Sequence, residues 1–204
     1  PLTAIAFFML TGELMTSATI TDRLVALSRA LIGRIRGGLA QVNVLVSMFF
    51  AGMNGSVVAD TATVGALVLP AMKKAGYPAA FSAAVTGVSS TIGGIIPPSI
   101  MMIVLANSTE ISIAALFAAG IIPGVLIGIV IMIINHYFAI KYNFERSDQP
   151  FSIRRAGKEL YRSSFALLIP LVLVGSVMGG VASVVEAGAI TAMVALFTGV
   201  FVYR

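Results

Sequence analysis

Ala51-Gly52-Met53-Asn54-Gly55-Ser56-Val57-Val58-Ala59-Asp60 interrupts an otherwise apolar stretch, residues 39–72. A helix needs about 20 apolar residues to cross a hydrocarbon core about 30 Å thick. The arms on either side, 39–53 and 57–72, each reach about 23 Å at 1.5 Å per residue, too short for two comfortable crossings. The stretch therefore reads as a re-entrant hairpin that enters and leaves the membrane on one side. Irregular backbone at membrane depth is tolerated only where protein buries it or where it lines an aqueous cavity. Carbonyls ending the first arm suit a cation, and amides opening the second suit an anion. Asn54 and Ser56 add side-chain oxygens, and the glycines let the backbone close around an ion. Asp60 is the sole formal charge between Arg36 and Lys73. An ionisable group at that depth is a functional candidate. It either reaches a bound cation, directly or through a neighbour, or complements the N-terminus of the second arm.

A second interruption follows at Ser89-Ser90-Thr91-Ile92-Gly93-Gly94-Ile95-Ile96-Pro97-Pro98-Ser99. Consecutive prolines donate no backbone hydrogen bonds, and Ile96 is pushed out of the helical region by the proline after it. The helix over 79–107 must break here, freeing carbonyls around Gly93 to Ile96. Pro98 and Ser99 are good residues for restarting one. Discontinuous helices at mid-depth build the ion and substrate sites of secondary transporters, so a hairpin followed by a broken helix points to transport.

Composition agrees with a membrane solvent. Apolar residues make up 58% of the chain and charged residues 10%, with a mean hydropathy of +1.02. Soluble domains carry about 25% charged residues. The expected fold class is an all-α membrane protein, a polytopic helical bundle with a re-entrant helical hairpin and a broken transmembrane helix. The absence of cysteine excludes disulfides and thiolate metal sites, and the single His136 excludes a multi-histidine cluster.

Five segments follow. Residues 1–38 hold a transmembrane helix and an interfacial amphipathic arm, with Leu24, Leu27, Leu31 and Ile35 at helical spacing among Arg23, Arg29, Arg34 and Arg36. Residues 39–76 are the hairpin, and 77–139 the broken helix plus a continuous helix. Residues 140–162 form a polar linker with room for a short surface helix, and 163–204 hold two more spans. Pro1 lies directly in an apolar run and Arg204 directly after another, so the chain reads as a piece of a longer protein.

With these crossings, all 13 basic residues fall on one face, which the positive-inside rule makes cytoplasmic. The net charge of +5 then reads as anchoring to anionic lipid, and argues against a nucleic-acid partner. Gly120, Gly124 and Gly128, like Gly175 and Gly179, recur at the spacing of close helix packing. Glu13 and Glu186 read as capping or pairing groups, and His136 beside Tyr137 as an interfacial anchor.

The ordered motifs Gly12-Glu13-Leu14-Met15, Gly55-Ser56-Val57-Val58-Ala59-Asp60, Leu69-Pro70-Ala71-Met72-Lys73-Lys74-Ala75-Gly76-Tyr77, Ser90-Thr91-Ile92-Gly93-Gly94-Ile95-Ile96-Pro97-Pro98-Ser99-Ile100 and Leu116-Phe117-Ala118-Ala119-Gly120-Ile121-Ile122-Pro123-Gly124 resemble the large membrane subunit of tripartite ATP-independent periplasmic (TRAP) transporters. The resemblance runs nearly the whole length. It implies a member of the wider ion transporter superfamily built from two inverted repeats, of which this chain carries one; 163–204 would start the second half. It implies sodium-coupled uptake of an organic acid, such as a C4-dicarboxylate, sialic acid or a sugar acid, by an elevator-like motion. The implied partners are a small four-helix membrane subunit, a periplasmic solute-binding protein and the remaining C-terminal half of the permease. By the same resemblance sodium takes oxygens from Asn54, Gly55 and Ser56 and from backbone at Gly94, Ile95, Ile96 and Pro97. The substrate carboxylate lies near Ser56 and Ser99, with Asp60 and Thr91 completing the candidate substrate set.

Other readings remain open: another symporter of the same superfamily, or a channel-like subunit without solute coupling. A channel needs a continuous polar or carbonyl-lined path, whereas the polar groups here cluster at one depth. An intramembrane hydrolase pairing Ser56 with His136 needs hydrogen-bond reach, which a mid-depth serine and a facial histidine do not offer. The chain is expected not to be an enzyme.

Overall fold

The computed structural model describes residues 2–17, 20–32, 35–144 and 152–202. Its helices are α1 (Leu2–Ser17), α2 (Ile20–Ile32), α3 (Gly38–Asn54), α4 (Val57–Lys74), α5 (Ala79–Ser90), α6 (Ile100–Thr109), α7 (Ile113–Lys141), α8 (Ile153–Arg162), α9 (Ser164–Met178) and α10 (Val184–Phe197). A 3-10 turn (Thr91–Gly94) follows α5, and a π turn (Thr198–Val202) follows α10. The fold is all-helical. By length and composition, α7 and the stretch Val184–Val202 can each cross a membrane, and two bent pairs add candidate spans. In these pairs α2 leaves α1 at 71°, and α9 leaves α8 at 62°.

The hairpin is α3–α4. Asn43 near the start of α3 donates its amide to Met72 Sδ near the end of α4 (3.7 Å), so the arms run antiparallel from an open end to the tip at Gly55-Ser56. The 17 and 18 residues of the arms reach about 26 and 27 Å, short of the hydrocarbon thickness. The broken helix is α5, the 3-10 turn, an irregular 95–99 segment and α6.

Two apolar cores hold these parts. One buries Leu24, Val46, Phe50, Val64, Val85 and Ile92 between α2, α3, α4 and α5. The other packs Phe8, Ile103, Phe117, Leu173 and Ala187 where α1, α6, α7, α9 and α10 meet. The three α7 glycines sit in close contacts: a Cβ at Gly120 or Gly124 would meet Ile95 O or Ile96 Cγ1 at 2.4 Å, and at Gly128 Met48 Sδ at 2.5 Å. Gly175 differs from expectation: among the described residues nothing lies within 4 Å of its Cβ position.

The arm helix also differs in register. Leu24 and Leu27 are buried, but Leu31 is exposed and Ile35 lies outside any helix. α2 is clasped by α3 and α8, and the buried face passes through Ile20, Leu24, Leu27 and Ser28. Arg34, Arg146 and Arg204 lie outside the described residues. Glu186 forms a capping box at the start of α10: its Oε2 accepts from Ser183 N (2.8 Å), while Ser183 Oγ accepts from Glu186 N (3.3 Å).

Candidate functional site

Gly55 closes α3 in the left-handed region at φ +60. This turn brings the chain directly onto the break in the second helix. Gly55 O accepts from Ile100 N (3.2 Å), and a Cβ at Gly55 would sit 2.2 Å from Pro98 O. Only glycine allows both the turn and the approach. Gly93 faces Ser56 and Val57 from the other side, with backbone atoms at 3.8 Å from its Cβ position. The tip and the Gly-Pro break, far apart in sequence, are therefore one site.

Two helices begin there. Ser56 caps α4 by accepting from Ala59 N (3.3 Å), and Ser99 caps α6 by accepting from Met102 N (3.3 Å). Both caps have extended backbone, φ −116 and −117, as this role requires. Ser99 Oγ also donates to Gly94 O (2.8 Å), which ties the new helix to the end of the old one. Two helices also end there, α3 at Asn54 and the 3-10 turn at Gly94. Helix starts and helix ends thus converge, so the backbone brings partial positive and partial negative ends to one place.

Asn54 is buried, and its Oδ1 accepts from Ser56 N (3.0 Å). Gly55, Pro97 and Ser99 are buried, while Ser56, Gly94, Ile95 and Ile96 are half-buried. The tip is enclosed by α1 and α9: a Cβ at Gly12 would meet Asn54 Cβ at 2.6 Å, and one at Gly52 would meet Pro170 Cβ at 3.3 Å. That enclosure satisfies the condition for irregular backbone at depth. An open apolar cleft of about 350 Å³ adjoins it, lined by Gly52, Ile96, Pro97, Ile121 and Pro170 among others.

The donor set at the tip consists of carbonyl, amide and hydroxyl oxygens. Among the described residues no cluster of three His, Asp, Glu or Cys side chains exists. Neutral oxygens without a carboxylate suit a hard ion of low charge, not a transition metal. The residues present fit sodium.

Asp60 lies one turn into α4, its N donating to Ser56 O (3.0 Å), and Thr91 opens the 3-10 turn. Thr91 is exposed, and its hydroxyl donates back to Val88 O (2.7 Å). Asp60 is 0% exposed and lies beside the Ser90 and Ser47 hydroxyls, between α3, α4 and α5. His136 is exposed on α7, about 18 Å along the helix from Gly124 at 1.5 Å per residue, so it does not join Ser56.

Sequence reading missed a polar seam in the α3–α5 interface. Asn43 Nδ2 donates to Thr86 Oγ1 (2.7 Å), Ser89 Oγ donates to Asn43 Oδ1 (3.3 Å), and the Ser47 and Ser89 hydroxyls lie 3.1 Å apart. The signal was present: Asn43 and Ser47 are one helical turn apart on an apolar arm, as are Ser82 and Thr86 on α5.

The family model described as tripartite ATP-independent periplasmic transporter, DctM component, matches residues 1–204. The chain is 37% identical over 203 residues to the C4-dicarboxylate TRAP transporter large permease protein DctM of Pseudomonas aeruginosa. It is equally similar, 37%, to the sialic acid TRAP transporter large permease protein SiaM of Vibrio cholerae. Identity to the 2,3-diketo-L-gulonate TRAP transporter large permease protein YiaN of Escherichia coli is 38% over 203 residues. Each alignment takes in 100% of this chain and 47 to 48% of the relative. The chain spans about half the length of these curated relatives.

Proposed function

This chain belongs to the DctM-component family of TRAP transporters, and we propose on that premise that its hairpin tip and broken helix form one half of the ion and solute site of a sodium-coupled organic-acid permease. The observation that carries the reading is the convergence of two helix N-termini, at Ser56 and Ser99, with two helix C-terminal ends, at Asn54 and Gly94. The carbonyl ends and Asn54 hold sodium, with Gly55, Ser56 and the backbone from Gly94 to Pro97 around it. The amide ends receive a carboxylate beside Ser56 and Ser99. A bound cation next to a bound carboxylate lowers the cost of each, which couples the two.

The similar permeases handle a C4-dicarboxylate, a sialic acid and a diketo-sugar acid by name. The substrate here is an organic acid of that range. Thr91, on the exposed side of the break, contacts solute only when the site opens in that direction. A periplasmic binding protein delivers the solute, and a small membrane subunit and the other half of the permease complete the transporter. The tip and break interlock through Gly55 and Gly93 and move as one body in an elevator-like step. The end carrying Arg36, Lys73, Lys74 and Lys141 is cytoplasmic.

The test is solute uptake into proteoliposomes by the full permease with its membrane partner and binding protein. Asn54→Ala and Ser56→Ala are expected to shift the sodium dependence to higher concentration. Unchanged sodium dependence in both variants sinks the tip as the coupling-ion site.

A further inference from the structure

Asp60 is the one formal charge buried inside the hairpin, and among the described residues no cation stands beside it. The elements packed around it, α3, α5 and the 3-10 turn, contain no charged residue, and the other charges of α4, Lys73 and Lys74, stand at its far end. Both carboxylate oxygens and Ser90 Oγ are buried and close no well-formed hydrogen bond, with the Ser90 and Ser47 hydroxyls facing the carboxylate. Ser90 is unlike its neighbours in this respect. The hydroxyls of Ser82, Thr86 and Thr91 donate to a backbone carbonyl one turn back and that of Ser89 donates into the seam, whereas that of Ser90 is left beside Asp60. Ser47 approaches the carboxylate from α3, held in place by Ser89 (3.1 Å). A lone carboxylate in a water-poor interior is costly until a counter-charge arrives.

We infer that Asp60, Ser47 and Ser90 form a second site for a small monovalent cation, set behind the tip between the hairpin arms and α5. The donors are oxygens throughout: two from the carboxylate and two from hydroxyls. One negative charge among neutral oxygens matches a single positive charge. The ion bridges α3, α4 and α5, so its binding clamps the two hairpin arms to the helix that leads into the break. Asp60 thus acts as a cation ligand and is not part of the solute surface. This inference rests on the membrane-transporter reading but not on an ion at the tip.

The experiment measures the thermal unfolding midpoint of the full-length permease in nanodiscs, with sodium replaced by choline at fixed ionic strength. A cation that binds only the folded state raises the midpoint in a saturable way. Ser90→Ala removes one buried hydroxyl that faces the carboxylate and holds no backbone group, so the fold is kept. It should move the sodium dependence of this component to about ten-fold higher concentration, the weight of one lost ligand to a charge. Asp60→Asn should raise the midpoint in choline, because the unpaired charge is gone, and should remove this component of the sodium response. In an Asn54→Ala background, a sodium response should persist and vanish on adding Asp60→Asn. If Asp60→Asn and Ser90→Ala leave the sodium curve of that background unchanged, the site does not exist. If acid in choline replaces sodium fully and Asp60→Asn abolishes only the acid effect, the group carries a proton and the inference is overturned. A response lost with Asp60→Asn but untouched by Asn54→Ala would instead remove the tip site and leave this one standing.

Discussion

At Gly55 the backbone takes φ +60 while Pro98 O lies 2.2 Å from where a Cβ would be. An L-residue in the left-handed region costs about 1–2 kcal/mol, and pressing a methyl group into fixed backbone costs about 1–3 kcal/mol more. Gly55→Ala is therefore expected to lower the unfolding midpoint of the full permease sharply and to abolish uptake. Gly76 is the internal control: its φ is +79, yet nothing lies within 4 Å of its Cβ position. Gly76→Ala should show the conformational cost alone, about 1–2 kcal/mol, and keep transport. Equal losses in the two variants would mean that the close approach at the tip is unimportant. The two cap serines belong at this scale as well. Ser99→Ala loses both its cap to Met102 and its bond to Gly94, so it should destabilise more than the roughly 1 kcal/mol of a cap alone. Chemical denaturation of the two alanine variants, Ser56 and Ser99, side by side checks the order.

Among the elements, α7 is the strut that touches both halves of the site. Its glycines meet Met48 of the hairpin and Ile95 and Ile96 of the break. What lies opposite each glycine decides the cost of adding a methyl group. At Gly120 the neighbour is a backbone oxygen, Ile95 O, which cannot yield without moving the break. At Gly128 it is the thioether of Met48, a flexible side chain that can turn away. Gly120→Ala should cost about 2–3 kcal/mol and Gly128→Ala less than about 1 kcal/mol. Thermal melting of the full-length variants in detergent tests this, and a reversed order would show that α7 does not fix the break. The repeat of glycines was plain in the sequence. Which of them abuts backbone was not, because that depends on how α7 is turned against segments distant along the chain.

At the scale of the whole molecule, Arg36, Lys73, Lys74 and Lys141 gather at one end. Tyr77 and Phe81 at the α4–α5 turn pack on Phe144 beyond α7, with ring centroids 4.6 and 5.1 Å apart. This joins Lys73 and Lys74 to the Lys141 end. Arg36 donates to Asn143 Oδ1 (3.0 Å) at the same end. α8 carries Arg154, Arg155 and Lys158, with Ile153 and Leu160 exposed beside them. An apolar edge flanked by cations suits the surface of an anionic bilayer, where each basic residue contributes about 1 kcal/mol. A Leu160→Trp reporter in the full permease should emit further to the blue in nanodiscs with anionic lipid than in neutral ones. Changing Arg154, Arg155 and Lys158 together to Gln, or adding salt, should erase the difference; persistence in the triple variant would show that α8 is held by protein contacts only.

The sequence by itself determined the solvent, the helices and both interruptions. Charge poverty, apolar run length, and the Gly-Pro chemistry at Gly93-Gly94 and Pro97-Pro98 are local properties, and each acts through bonds within a few residues. It also marked Asn54, Gly55, Ser56 and Ser99 as unusual, because a polar or breaking residue stands out against an apolar background. Only the tertiary structure decided which of these meet. The Gly55–Ile100 bond and the Pro98 contact join the tip to the break, while Ser47, tied through Ser89 to Asn43, and Ser90 come beside the Asp60 carboxylate. The physical reason is that a serine on one helix reads the same whether it faces lipid or a carboxylate. Its role is set by the rotation of its helix, and that is fixed by packing across the whole chain.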